Sequence, residues 1–335
     1  MRTFLIRLSI FLVPAGIFLV SYVFTDPFQI FGSIGANKFN QVASSDDYYG
    51  IERFLSNVED GNRYSAFVFG NSKTLAFDPS LLLLSQTELG YNFGAPGECL
   101  RNIRDKLLLI ESSGQNLDRA LFILDHKILL NENNSHPFFQ GPVYEHHPAS
   151  SGNTWLSFHS AYLQYFIKGG FFLDYFRFRM MGKWDEGMLG KIAPEDVSKS
   201  ATYDPLTNHT QRAGVEALIE KNPEEYYAQQ ASLNAPSEAQ VYEHVFSESQ
   251  VDLLEEINAI MIRNKCNYHV IFGPYWNGSQ LDSAVLEIFQ EIFGSDRVRD
   301  FSGKSTWSGK RSFWYEDNHY RPMVGTEILK EVNPS

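Results

Sequence analysis

Basic charge is in short supply in this chain of 335 residues: 28 Lys and Arg stand against 40 Asp and Glu, a formal net charge of −12. No stretch gathers the lysines and arginines into a stripe. Neutralising nucleic-acid phosphates takes clustered cationic side chains, so the composition argues against a nucleic-acid partner. Cysteine is nearly absent. Cys99 and Cys266 are too few for a disulfide framework; they form either one bridge in an oxidising compartment or two buried free thiols. Internal repeats and low-complexity segments are missing as well. His136, His146, His147 and His159 fall in an irregular segment without a ligand spacing such as H-E-x-x-H, so neither a metal nor a cofactor is expected.

What the chain does have is a globular composition, 43% hydrophobic and 20% charged. Its aromatic content, 15%, is high and concentrated in the middle. Residues 3–24, "TFLIRLSIFLVPAGIFLVSYVF", are apolar except for Arg7 and a few hydroxyls. About 20 residues of helix cross a hydrocarbon core of about 30 Å. Arg2 and Arg7 at the start and Asp26 beyond the end put the N-terminus in the cytoplasm and the body outside. A cleaved signal peptide is the rival reading, but no A-x-A-like site follows the apolar run. A membrane anchor is therefore expected over residues 1–32, with a linker and first helix over 33–60.

Beyond residue 60 short apolar runs alternate with helical patterns. "SAFVFG" (65–70), "LGYNFG" (89–94), "RALFILD" (119–125), "NYHVIFGPY" (267–275) and "RVRDF" (297–301) read as strands. The first four are continuous apolar runs of a length that suits strands buried on both faces. Helices are expected in "LRNIRDKLLLIESSG", in "SESQVDLLEEINAIMIRNKC" and in "SQLDSAVLEIFQEIFG", the last two opening on a Ser as N-cap. The alternation predicts an α/β fold with a central parallel five-stranded sheet covered on both sides. The rhythm breaks over residues 131–245, too long for a loop. This aromatic-rich segment is expected to be a largely helical insertion, dividing the domain into 61–130 and 246–335. Its Phe and Tyr side chains serve its own packing, or a lid, a platform for sugar rings or a surface against a membrane.

Open α/β sheets bind ligands at the carboxyl ends of their strands. There the sequence places Asn71 and Ser72 of "FVFGNSKTLAF", Gly94 of "YNFGAPGE", and Asp125 of "FILDHK". "WYEDNHYRPMVGTEIL" precedes the last helix. A serine hydroxyl is a poor nucleophile until a base takes its proton. His319 suits that base, with Asp317 or Glu316 holding its tautomer. Gly94 lets its N–H approach a developing oxyanion without obstruction.

These blocks resemble the SGNH (GDSL-like) hydrolase superfamily. Within it they are most similar to the membrane-anchored branch that includes the D-alanyl-lipoteichoic acid biosynthesis protein and the alginate-type O-acetylation proteins. "FGNSKT…FDP" matches the nucleophile block, "YNFGAPG" the oxyanion-glycine block and "EDNHYRP" the acid–His block. The resemblance implies a three-layer sandwich and a bacterial inner-membrane, single-pass protein with its main domain in the periplasm. It implies a serine acyltransferase or esterase acting on O-acyl groups of an exported glycan or cell-envelope polymer, working with a multi-spanning membrane acyltransferase. Ser72, His319 and Asp317 or Glu316 would be catalytic, and N–H groups of Ser72 and Gly94 would bind the oxyanion.

The chain also departs from the pattern. Asn71 stands where the commonest form has Asp. The third block usually ends in an Asn donor, but here it ends in Asp125, which accepts and cannot donate; Asn92 or Asn71 would replace it. The usual Asp-x-x-His becomes Glu316-x-x-His319, while Asp317-x-His319 follows the alginate-type spacing, and Asp317 is the preferred acid. Asn71, Asp125 and Arg321 are candidate substrate contacts, although Asp125 and Asp300 also suit capping and Arg321 suits an ordinary salt bridge. Two other readings stand beside the acyltransferase: a catalytically inactive partner or glycan-binding protein of an acylation complex, and an esterase for small esters.

Overall fold

A computed structural model describes residues 2–31, 46–83, 87–130, 147–151, 154–188, 192, 201–234 and 237–332. The elements that frame the fold are α1 (Arg2–Thr25), α2 (Asp46–Glu59), β1 (Tyr64–Gly70), β2 (Leu89–Asn92), α3 (Leu100–Ser112), β3 (Arg119–Leu124) and α4 (His126–Leu130). They continue with α5 (Trp155–Ile167), α6 (Phe171–Met181), α7 (Ala213–Lys221), α8 (Glu248–Arg263), β4 (Asn267–Phe272), α9 (Ser283–Phe293) and β5 (Val298–Asp300). A small hairpin, β6 (Trp314–Glu316) with β7 (His319–Tyr320), leads into α10 (Pro322–Val332).

The five strands expected from apolar runs form one parallel sheet in the order β2-β1-β3-β4-β5. All seven residues of β1 are buried, which is why its sequence lacks a polar alternation. Phe67 and Phe69 turn to one face, where they pack with Phe54 of α2, Ile103 of α3 and Phe289 of α9. Ala66 and Val68 turn to the other, among Ile219 of α7, Trp314 and Ile328 of α10. Helices thus cover both faces.

Strand order reverses direction at β1. The chain steps from β1 outward to β2, then crosses back to β3 on the other side. The switch point lies between the carboxyl ends of β1 and β3, where open α/β sheets form a crevice. Gly70 closes β1 there with a φ of 142°, and a Cβ on it would stand 2.1 Å from the Ile123 carbonyl oxygen. Only glycine permits both the dihedral and the approach.

α8 has the expected capping box, with Ser247 and Gln250 bonded reciprocally. α9 starts later than its sequence suggested: Asp282, not Ser279, caps it through the Ala284 N–H. Both cysteines are buried and free, and burial pushes each thiol up to about 12. The insertion contains α5, α6 and α7, together with a hairpin of Thr202–Asp204 and His209–Gln211. Residues 131–146, with His136 and His146, lie outside the described residues.

Among the described residues no helix is long and apolar enough to cross a membrane. The membrane-crossing helix expected over residues 3–24 is therefore not supported by the fold. The described side chains of α1 do include exposed apolar groups, among them Ile10, Leu12, Ile17, Val20 and Phe24.

Candidate active site

The turn after β1 is built by Asn71. Its side-chain oxygen accepts the Lys73 N–H at 3.0 Å and caps a 3₁₀ turn over Ser72–Ala76. That cap fixes where Ser72 leaves the strand. The Ser72 N–H stands at the first position of the turn, where a helix supplies no acceptor of its own.

Ser72 Oγ and His319 Nε2 are 2.6 Å apart, although 247 positions separate them in the chain. The other ring nitrogen of His319 meets the Glu316 carboxylate. An ionised carboxylate only accepts, so Nδ1 carries the hydrogen and Nε2 offers its lone pair to the Ser72 hydroxyl. Burial tends to raise the Glu316 pKa, but the His319 contact and Arg212 outweigh it and hold it below the usual value. Arg212 Nη1 lies 3.1 Å from Glu316 Oε2.

The preference for Asp317 is corrected by this geometry. Asp317 is exposed, and its Oδ1 accepts from the neighbouring Asn318 side chain at 3.2 Å. The hairpin explains the difference. In β6 and β7 the register pairs Glu316 with His319 across the turn, whereas Asp317 occupies the turn itself and points away.

Lys73 and Asp125 form a buried ion pair at 3.1 Å, their side chains 7% and 2% exposed. Burial tends to raise the Asp125 pKa, but the Lys73 charge and the Asn71 side chain overcome it and hold it at about 2. The Tyr275 ring covers Lys73 Nζ at 4.4 Å. Asp125 Oδ1 also accepts the Lys127 and Ile128 N–H groups and starts α4. It is consumed by these contacts, so the expected substrate role for Asp125 is replaced by a structural one. Asn71 is occupied in the same way, by its cap and by Asp125.

Gly94 and Asn92 also differ from expectation. The Gly94 N–H donates to the Asn92 side-chain oxygen at 2.8 Å, and the Asn92 amide donates to the Thr74 carbonyl at 3.1 Å. Asn92 is fully buried. Together they brace the loop against the serine turn, so that of the expected oxyanion donors the Ser72 N–H is the one without such a contact among the described residues. Gly94 is required sterically, since a Cβ would fall 1.8 Å from Thr74 Oγ1.

Arg321 is also engaged. Its guanidinium pairs with Glu216 and donates to the Ser312 carbonyl at 2.7 Å. Tyr315 donates its hydroxyl to Glu216 at 2.6 Å, and the Tyr226 and Tyr227 hydroxyls donate to carbonyls of the same hairpin. The insertion thus braces the acid–His hairpin through residues that no motif marked. Lys73 carried a weak signal, a lysine between the candidate nucleophile and an apolar run. Arg212 and Glu216 carried none, because their partners lie about 100 residues away.

Asp300 Oδ1 accepts the Ser302 N–H at 2.8 Å, a loop-stabilising contact. His147 pairs with Glu52 at 2.5 Å, and His159 stacks on Phe31. Among the described residues no group of three His, Cys, Asp or Glu side chains is placed to hold a metal ion. No protein-family model matches the chain, and no curated protein matches it either.

Proposed function

We propose that the chain is a serine acyltransferase or ester hydrolase that works through an acyl-serine. The observation that carries this reading is the contact of Ser72 Oγ with His319 Nε2 at 2.6 Å, with Glu316 on the opposite ring nitrogen. His319 takes the hydroxyl proton as Ser72 Oγ bonds to the ester carbonyl carbon. The Ser72 N–H faces the developing oxyanion. When the intermediate collapses, the ester C–O bond breaks and His319 returns the proton to the departing alkoxide. Water or a glycan hydroxyl then repeats the sequence in reverse on the acyl-serine.

The five-stranded order and the three blocks at its carboxyl end favour an SGNH-like domain. Residues 3–24 favour a tether in the bacterial cytoplasmic membrane with the domain outside it. Taken with the resemblance, the substrate class is the O-acyl groups of an exported glycan or cell-envelope polymer, and the acyl supplier is a multi-spanning membrane acyltransferase. The test is turnover of an activated acetyl ester such as 4-nitrophenyl acetate. Ser72→Ala is expected to lower kcat by about three orders of magnitude. Equal rates for the two proteins overturn the reading.

One observation favours a second reading, a non-catalytic glycan-binding or assembly protein. The Gly94 N–H and the Asn92 amide are both bonded internally, which leaves the oxyanion few donors. On that reading the wild-type chain hydrolyses no ester, yet still binds acetylated polymer.

A further inference from the structure

The geometry points to the α5–α6 hairpin as a lipid-contacting surface that seats the domain on an anionic bilayer. This inference rests on the reading that residues 3–24 hold the chain to a membrane. The inner side of the hairpin is packed against the end of α1. Phe18 lies 5.1 Å from both Phe166 and Phe172, ring centre to ring centre, and Tyr22 lies 5.0 Å from Phe166. The Tyr175 hydroxyl donates to the Thr25 carbonyl at 3.3 Å. The hairpin is therefore fixed beside the place where the apolar helix ends.

Its outer side presents large apolar groups left exposed among the described residues. Leu156 is 81% exposed and Met180 78%. On α6, Leu173, Arg177, Met180 and Met181 are all exposed, and their spacing puts them on one face. Large exposed apolar groups concentrated in this way mark an interaction surface. Charge selects the occupant. Arg177 pairs with Asp185 at 2.9 Å, and Asp174 and Glu186 lie close in the chain. Lys168, Arg179 and Lys183 are the exposed cations left beside the face, in a chain whose net charge is −12. An apolar face flanked by exposed cations matches the boundary between acyl chains and anionic headgroups.

The contact also orients the site. The Tyr49 hydroxyl, in the first turn of α2, donates to the Phe28 carbonyl at 2.9 Å, and Tyr48 stacks on Phe158 at 5.1 Å. α2 runs from there to the start of β1, so its first turn lies toward the carboxyl end of the sheet, from which Ser72 emerges. The bilayer-facing end of the domain is the end that carries the serine.

The test uses the full chain in vesicles of equal parts phosphatidylcholine and phosphatidylglycerol, with an environment-sensitive fluorophore on Leu173→Cys or Met181→Cys. Cys99 and Cys266 are buried and leave the introduced thiol as the reactive one. Ile262→Cys, exposed in the last turn of α8 just before the start of β4, and so toward the end of the sheet away from Ser72, is the control. The inference expects blue-shifted emission at 173 and 181, quenching by spin-labelled lipid, and neither effect at 262. In pure phosphatidylcholine the shift should fall by about twofold or more. Chains that float with the vesicles while all three probes stay water-exposed overturn the lipid contact and leave the tether standing. Chains that do not float overturn both. Shielding at 173 and 181 only when native membrane proteins are added overturns the lipid contact in favour of a protein partner.

Discussion

Glu316 and Asp317 are adjacent carboxylates with opposite fates, and a pair of conservative substitutions separates them. Glu316→Gln removes the charge that holds the His319 tautomer and should lower kcat for an activated ester by about 10³-fold or more. Asp317→Asn should leave kcat within about twofold, as exposed substitutions away from a site generally do. Steady-state kinetics on the two variants decides between them. Lys73 and Asp125 give a stability prediction. Lys73→Met leaves a buried carboxylate without its partner and should cost about 3–5 kcal/mol in urea denaturation at neutral pH. The Lys73→Met/Asp125→Asn double variant should recover part of that loss. The acid dependence follows from the same pair. The folded-state pKa of Asp125, about 2, lies below its ordinary 3.8. Its contribution is therefore complete above the ordinary value and disappears as pH falls through about 2. The stability difference between wild type and Asp125→Asn should shrink by about 2–3 kcal/mol over that range.

Among the elements, β1 to β4 were readable as apolar runs because a parallel sheet covered on both faces buries all of β1 and most of β2, β3 and β4. The edge strand β5 keeps Asp300 exposed and reads as a more polar run. The capping box of α8 was readable for a similarly local reason: Ser247 and Gln250 satisfy each other within one turn. The 3.6-residue rhythm of α9 was visible too, but its start was not, since Ser279 and Asp282 are both good caps and only the fold selects Asp282. The site divides along the same line. Ser72 stood out because it follows a strand in a recognisable block, and His319 because it lies in the acid–His block before the last helix. The engagement of Arg321 by Glu216 is tertiary and left no pattern in the sequence, whereas Gly94 is taken by Asn92 only two residues before it, a local turn contact. The short β6–β7 hairpin is held by the insertion, with Arg212 on Glu316 as the contact nearest the reaction. Both side chains of that pair are about a quarter exposed, so solvent screens it and its effect is modest. Arg212→Ala should lower kcat about threefold to tenfold with little change in KM, and Arg212→Lys should restore part of it. A change in KM alone would place Arg212 on the substrate instead of behind the acid.

At the scale of the whole molecule, the proposed tether and lipid contact are tested separately from the chemistry proposed at Ser72. An N-terminal anchor predicts that the full chain stays with membranes through alkaline carbonate extraction. It also predicts that protease added to the periplasmic side digests the domain. Release of the chain by carbonate would remove the anchor without touching the chemistry at Ser72. That chemistry is tested most directly by intact-protein mass spectrometry after exposure to a fluorophosphonate. The account predicts a single adduct on Ser72, absent from Ser72→Ala, strongly slowed in His319→Ala and Glu316→Gln, and unchanged in Asp317→Asn. An unmodified wild-type chain, or an adduct that forms equally fast without His319, would contradict it.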